Sequence, residues 1–195
     1  MAGQYIGKTD PPLTKAGIAH AHGLARRLRR LIEAQPAIHE VDSPISSVLS
    51  SPARRALETA RLATEWTGSP IRQDADLWEI DFGRWEGMRF HEIAAVDPEL
   101  VNKWAKGEIG FCFPGGESIQ AFRERVERAG HRIHNRREET LIVVTHGGVI
   151  RFLICHFLGL PPQSHLMFQV DPGSITRIQL YQGSAVLAGL NDFHY

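Results

Sequence analysis

Apolar residues recur at the three- and four-residue spacing of an amphipathic helix in two long segments of the chain. The first segment predicts a helix over residues 15–34, with Thr14 placed to cap its start. The second segment follows the turn at residues 114–116 and carries apolar residues at Ile119, Phe122, Val126, Ala129 and Ile133. Both helices therefore have one face for a core and one face for solvent.

A short, partly β-branched run predicts the first strand, over residues 45–49. The strand stops at a Ser-Ser-Pro triplet, where Ser51 is expected to cap a helix and Pro52 to occupy its first turn. This helix should carry Arg55 near its beginning and end at about Trp66.

The second half of the chain alternates strands and helices. The apolar run LIVVT at residues 141–145 is typical of a strand buried on both faces, and an apolar helix over 149–158 follows it. Two further strands are expected at 175–181 and 185–190, joined by a glycine-containing turn. Residues 76–87 mix aromatic, acidic and glycine residues without periodicity and predict a loop.

This alternation predicts one α/β domain over residues 1–195, a three-layer sandwich with a mainly parallel sheet between helices. In such sheets, ligands bind beyond the carboxyl ends of the strands. Ser50, Ser51, His146 and Gly147 all stand at that edge. The sequence thus predicts where a binding site lies before it predicts which ligand the site takes.

Composition excludes several classes of protein. The 195 residues include 22 Lys and Arg and 22 Asp and Glu, a balance that gives no support to a nucleic-acid or membrane partner. The longest apolar stretch, residues 149–160, is interrupted by Arg151 and His156 and is too short to span a bilayer. With no secretory signal and only two cysteines, a cytoplasmic protein with reduced thiols is expected.

Three side chains at or near this edge suit anion chemistry, and each also has a plainer interpretation. His146 opens a helix beside glycines, where backbone amides attract anions, but a neighbouring carbonyl would satisfy it equally well. Arg55 offers a planar fork for phosphate, although most such arginines simply face solvent. Glu79 has apolar neighbours that would raise its pKa, unless the loop turns its carboxylate towards water.

Taken together, five segments resemble the histidine-phosphatase family, whose members are similar to phosphoglycerate mutases. They occur in the family's order and cover nearly the whole chain: residues 5–17 (YIGKTDPPLTKAG), 50–60 (SSPARRALETA), 77–87 (LWEIDFGRWEG), 113–118 (FPGGES) and 143–148 (VVTHGG). The short path from Gly87 to Phe113 resembles the phosphatase branch, and within it the chain is similar to α-ribazole phosphatases and broad-specificity phosphatases.

The resemblance implies a role for each matching residue. Arg55 and Gly147 would bind the transferring phosphoryl group, and His146 would stabilise it as a second, charged histidine. Glu79 would protonate the leaving oxygen, while Ile6 and Gly7 would line the mouth of the site. No cofactor or metal is expected, because arginine and histidine supply the positive charge that phosphoryl transfer needs. The histidine pairs at 20 and 22 and at 131 and 134 fall on predicted helices away from this edge.

The chain departs from the family at its defining motif. The Arg-His-Gly triplet that carries the nucleophilic histidine occurs nowhere in the sequence. We therefore expect an N-terminally incomplete domain, through a late start assignment or a truncation, that lacks its first central strand. The resemblance places that strand between those ending at Ser50 and His146, so either these two close up or another chain, such as a second copy, covers the exposed edges.

Two functions follow from this. The first is a phosphatase that hydrolyses small phosphorylated metabolites through a phosphohistidine intermediate, inactive as a 195-residue chain because the nucleophile is absent. The second is a pseudoenzyme without the nucleophile that binds a phosphorylated ligand or a partner. Retention of Arg55, Glu79 and His146 favours the first, because a protein that only binds needs no acid for a leaving group.

Overall fold

The computed structural model describes residues 3–34, 47–108, 110–136 and 140–193. Six α-helices and five strands are named in chain order within these ranges. The helices are α1 (Lys15–Glu33), α2 (Arg54–Thr64), α3 (Phe90–Val96), α4 (Pro98–Ala105), α5 (Ile119–His134) and α6 (Gly147–Leu158). The strands are β1 (Ser47–Ser50), β2 (Ile71–Gln73), β3 (Leu141–Val144), β4 (Ile175–Tyr181) and β5 (Ser184–Asp192).

The helices with clear periodicity form where the pattern predicts them. Thr14 caps α1, its hydroxyl accepting the Gly17 N–H at 3.0 Å. Helix α6 begins two residues before its predicted start, because His146 is extended and serves as its N-cap. It ends at Leu158, and Gly159 caps it in the left-handed region. The short helices α3 and α4 and strand β2 had no sequence signal strong enough to predict them.

The predicted cap of α2 is wrong. This helix begins at Arg54 with Ala53 in the N-cap position, and no side chain of its own caps it. The carboxylate of Asp10 instead accepts the Arg54 N–H, at 2.8 and 3.0 Å for its two oxygens. Ser51 stands ahead of the helix, where its hydroxyl accepts the Ala53 N–H. A distant segment therefore does the capping that a local serine was expected to do.

Parallel strands form the main sheet in the order β2-β1-β3. Strands β1 and β3 pair directly from Ser47 opposite Leu141 to Ser50 opposite Val144, and the Ser51 N–H extends the pairing to the Val144 carbonyl. Of the two expected outcomes, the strands have therefore closed up, and no exposed edge remains at that position for a second copy to cover. Residues 45 and 46 of the predicted first strand lie outside the described residues.

The sheet separates two halves of the core. On one face, Val48, Ile142 and Val144 pack with apolar residues of α1 and α2. On the other face, Leu49 joins a cluster that includes Phe122 of α5 and further residues of α6. In β3, Ile142 and Val144 are buried against one of these clusters, and half-buried Leu141 and Val143 pack against the other. The strand therefore contacts apolar residues on both faces, as its sequence predicts, with one face less completely buried.

The last two strands form a separate antiparallel hairpin, β4-β5, that pairs with no strand of the main described sheet. Its turn uses Gly183 at a φ of 80°. Ile175 packs with Leu24 of α1 and Ala63 of α2. The architecture is thus α/β, a parallel three-stranded sheet with helices on both faces and a hairpin beside it. Among the described helices, none is long and apolar enough to cross a bilayer.

Candidate active site

His146 lies between β3 and α6, at the carboxyl edge of the sheet. Its side chain is half-buried, and Nε2 lies 2.8 Å from the hydroxyl oxygen of Ser51, the residue that follows β1. Burial, with the charges of Arg55 and Arg125, lowers the pKa of His146 to about 3. This pKa favours the neutral ring at physiological pH. The charged, phosphate-stabilising role that the resemblance implies for His146 stays a prediction.

Arg55 points back from α2 onto the segment of residues 6–10, so it is not a solvent-facing arginine. Its two terminal nitrogens donate to three backbone carbonyls: Nη1 to Thr9 at 2.8 Å, and Nη2 to Gly7 at 2.8 Å and Ile6 at 3.3 Å. Nη1 also lies 3.6 Å from the Asp10 carboxylate. Burial lowers the pKa of Arg55, and the negative charges of Glu79, Asp10 and Glu86 oppose this effect. The guanidinium is therefore close enough to Glu79, the candidate acid, for their charges to interact.

Glu79 is buried, as its apolar neighbours predict. Its carboxylate accepts the N–H groups of Ile80 and Gly148, both at 3.0 Å. Burial raises the pKa of Glu79, against the opposing effect of these two hydrogen bonds and of the charges on Arg55 and Arg125. Glu79 therefore keeps its proton at a higher pH than an ordinary glutamate, which is what a leaving-group acid requires.

The predicted glycines differ in what they do. A side chain on Gly7 would place its Cβ 1.9 Å from the Ile80 carbonyl oxygen, so only glycine fits there. A Cβ on Gly147 would meet only the Val170 carbonyl oxygen, at 3.6 Å, an ordinary contact. The close approach occurs instead at Gly148, where a Cβ would lie 2.4 Å from Glu79 Oε1.

Five residues of this site were given no chemical role by the sequence, although Ser51 was placed at the binding edge: Asp10, Ser51, Glu86, Arg125 and Gly148. All but Arg125 lie inside the family-like segments, so the segments contained them without revealing their contacts. Arg125 lies on α5, where nothing in the local pattern distinguishes it from other polar positions. Its guanidinium binds the backbone carbonyls of Asp76, Trp78 and Glu79 and the carboxylate of Glu117.

A cavity of about 470 Å³ opens beside Glu79. Part of its wall consists of two salt bridges. Lys8 pairs with Asp81 at 3.4 Å, and Arg125 pairs with Glu117 at 2.8 Å. Trp78 supplies an aromatic surface. The cavity is larger than a phosphate ion needs, and Glu79, the residue expected to protonate a leaving group, forms part of its lining.

The histidine pairs lie elsewhere in the molecule. His20 and His22 are on α1, and His131 and His134 are on α5, where the His131 ring contacts that of His156. Within the described ranges, His, Cys, Asp and Glu side chains form no group of three or more that could hold a metal ion.

Comparison with known proteins decides the family. The profile of the histidine phosphatase superfamily (branch 1) matches residues 1–193. The chain belongs to this family. It is 33% identical to the adenosylcobalamin/alpha-ribazole phosphatase of Salmonella typhimurium over 192 residues, which are 98% of this chain and 89% of that protein. Relatives named as phosphatases support the assignment of this chain to the phosphatases of the family.

Solved structures agree with this assignment. The alpha-ribazole phosphatase from Shigella flexneri superimposes with a TM-score of 0.80 at 31% identity, covering 97% of this chain and 89% of that one. The phosphoserine phosphatase from Entamoeba histolytica, in complex with 3-phosphoglyceric acid, superimposes with a TM-score of 0.79 at 27% identity. That match covers 98% of this chain and 89% of the Entamoeba protein.

Proposed function

We propose that the edge formed by Arg55, Glu79 and His146 is the phosphoryl-binding half of a phosphomonoesterase site. The observation that carries this proposal is the convergence of three elements on one place. The charge of Arg55, from α2, acts on both the buried acid Glu79 and the ring of His146 at the start of α6. Phosphoryl transfer needs this combination of fixed positive charge, helix N-terminal amides and an acid for the leaving oxygen.

The step proposed for this site uses Glu79 as the proton donor. A histidine nitrogen attacks phosphorus and the P–O bond to the alcohol breaks, while the proton of Glu79 passes to the departing alkoxide oxygen. Water then hydrolyses the P–N bond, and the Glu79 carboxylate takes a proton from that water, which restores both groups. Arg55, Gly147 and His146 would surround the phosphoryl oxygens, and the backbone of Ile6 and Gly7 would border the site.

The attacking histidine is not identified among these residues, because the sequence contains no Arg-His-Gly triplet. His146 itself is neutral and could attack, but Nε2 already contacts Ser51, and the family resemblance gives it the supporting role. We therefore propose an N-terminally incomplete histidine-phosphatase domain whose 195 residues give negligible turnover through phosphohistidine. The second candidate is a module that binds a phosphorylated ligand without hydrolysing it, which the same absence favours.

A small phosphorylated metabolite is the substrate class we propose. The relatives named above are, by their names, phosphatases of adenosylcobalamin or alpha-ribazole and of phosphoserine, and phosphoserine is a phosphate ester of a small polar molecule. The cavity of about 470 Å³ beside Glu79 has room for a leaving group of that size. Its paired charges and the Trp78 surface suit a polar leaving group that carries hydroxyl or ring atoms.

Hydrolysis of p-nitrophenyl phosphate tests the proposal. We expect no turnover above background from the 195-residue chain, and turnover with a phosphorylated histidine from a version that begins at the preceding in-frame start codon. Isothermal titration with orthophosphate should detect binding to the 195-residue chain that Arg55→Ala removes. Turnover by the shorter chain that His146→Ala abolishes would instead make His146 the nucleophile. Inactivity of both versions, with binding retained, would favour the binding module.

A further inference from the structure

The carboxylate of Glu86 collects backbone N–H groups from two separate segments. It accepts from Gly7 at 3.0 and 3.1 Å, from Lys8 at 2.9 Å and from Thr9 at 3.2 Å. It also accepts the Phe82 N–H at 3.2 Å. A single side chain thus joins three consecutive amides of the N-terminal segment to the loop that carries the candidate acid.

The carbonyl groups of the same segment face Arg55, the residue proposed to bind phosphate. The carbonyls of Gly7 and Thr9 accept the two terminal nitrogens of Arg55, each at 2.8 Å. We call residues 7–9 the clamp segment, because Glu86 holds its N–H groups while Arg55 holds its carbonyl groups. The orientation of the guanidinium therefore depends on a backbone whose own position depends on Glu86.

Packing and charge leave this arrangement little freedom. Gly7 approaches so closely that an added Cβ would lie 2.5 Å from Glu86 Oε1. Burial would raise the pKa of Glu86, but hydrogen bonds from the Thr9 side chain and from the amides of the clamp segment lower it overall. The Glu86 carboxylate therefore stays ionised at neutral pH, so both of its oxygens accept hydrogen bonds and neither donates one.

We infer that Glu86 is the positioning residue of the phosphate site, fixing the Arg55 guanidinium through the clamp segment. This inference rests on the proposed function, in which Arg55 binds the phosphoryl group. It also explains why one glutamate bonds both to residues 7–9 and to Phe82. The same carboxylate fixes the distance between Arg55 and the loop that carries Glu79.

The test replaces Glu86 with glutamine in the 195-residue chain. Glutamine is the same size, but one oxygen becomes an NH₂ group that faces backbone N–H donors, so the clamp segment loses an acceptor. Titration calorimetry with sulfate, an anion of constant charge at neutral pH, should show binding about tenfold weaker than wild type. The matched control is Glu58→Gln, because Glu58 accepts the Leu13 N–H of the same N-terminal segment without touching residues 7–9. Its sulfate affinity should stay within about twofold of wild type.

A double-mutant cycle separates positioning from general loosening. If Glu86 acts through Arg55, Glu86→Gln should change sulfate binding much less in an Arg55→Lys background, because lysine cannot form the forked contact with two carbonyls. An equal effect in both backgrounds would overturn the inference.

Nuclear magnetic resonance of the Arg55 side chain measures the same effect without any anion. In the wild type, bonds from both terminal nitrogens should slow rotation of the guanidinium and give separate Nη signals. These signals should merge in Glu86→Gln and remain separate in Glu58→Gln, and separate signals in Glu86→Gln would disprove the inference. A wild type that binds neither sulfate nor orthophosphate would refute the proposed phosphate site, while this comparison would still decide the role of Glu86.

Discussion

Burial shifts the pKa values of the two ionisable groups of the candidate site in opposite directions, and in both it disfavours the charged form. It raises the pKa of Glu79, which favours the protonated carboxyl, and it lowers the pKa of His146 to about 3, which favours the neutral ring. The charge of Arg55 opposes burial at Glu79 and reinforces it at His146. A bound phosphate dianion would supply the opposite charge, so it would raise the pKa of His146 and favour the charged form that the family resemblance implies.

His146 should make the protein less stable in mild acid. The pKa of His146 is about 3 in the folded chain and 6.5 in its ordinary state, so the unfolded chain binds the extra proton between these values. The free energy of unfolding should therefore fall by about 2 kcal/mol from pH 7 to pH 5 through this residue alone. Urea unfolding at both pH values should show a smaller fall in His146→Asn. The variant His22→Asn, at an exposed position on α1, should fall as the wild type does, and an unchanged slope in His146→Asn would contradict the prediction.

A side chain at position 148 should destabilise the protein, because the Glu79 carboxyl group occupies the space that a Cβ on Gly148 would need. In Gly148→Ala the Cβ would lie 2.4 Å from Glu79 Oε1, so the carboxyl group must move, at a cost of about 1–3 kcal/mol in unfolding free energy. The neighbouring variant Gly147→Ala meets nothing closer than 3.6 Å and should be neutral or slightly stabilising. Urea unfolding of the two variants compares them directly, and equal stabilities would contradict the prediction.

Local sequence could predict the burial of Glu79 but not the protonation of His146. The apolar residues around Glu79 in the chain, such as Leu77 and Ile80, are themselves buried, so their pattern reports its surroundings. The pKa of His146 is lowered first by burial and then by the charges of Arg55 and Arg125, which come from two other helices. No feature next to His146 in the sequence shows that these charges are close to it.

At the scale of elements, periodic helices were predictable while strand neighbours and remote contacts were not. Helices α1 and α5 each repeat an apolar face over several turns, whereas α3 and α4 have seven and eight residues, too few for a pattern to stand out. A parallel strand pairs with a distant segment, so the sequence of β1 does not indicate that β3 is its neighbour. The Asp10 cap of α2 went unpredicted for the same reason, because it joins residues 44 positions apart.

Arg125 should be the side chain through which α5 holds the acid loop in place. Replacement by methionine removes the guanidinium, which lies 4.6 Å from the centre of the Phe122 ring. It also removes the Arg125 donors from three backbone carbonyls and from the Glu117 carboxylate. We expect a loss of about 2–4 kcal/mol in unfolding free energy.

The control for Arg125 lies one turn further along the same helix. Arg128 pairs with Asp76 at 3.1 Å, but its side chain is 58% exposed, so Arg128→Met should cost less than about 1 kcal/mol. Urea unfolding of both variants makes the comparison. Similar losses in the two would mean that Arg125 acts only as a surface charge.

For the whole molecule, the division into two sheets predicts two levels of stability. All four residues of β1 are buried, whereas in the β4-β5 hairpin Ile175 is the buried residue and the rest are half-buried or exposed. Opening the hairpin therefore exposes less apolar surface than opening the parallel sheet. Amide hydrogen exchange followed by mass spectrometry should be faster for residues 176–190 than for 47–50 and 141–144. Equal protection of all these segments would show a single cooperative unit.

The direct pairing of β1 with β3 also bears on how the protein can change over generations. Arg55 follows the first of these strands and His146 follows the second, and main-chain bonds from Ser47 to Ser51 set the register between them. Main-chain bonds do not depend on which apolar side chains the strands carry. Substitutions within the two strands can therefore accumulate without moving Arg55 and His146 apart. Specificity is free to evolve separately, in the cavity beside Glu79.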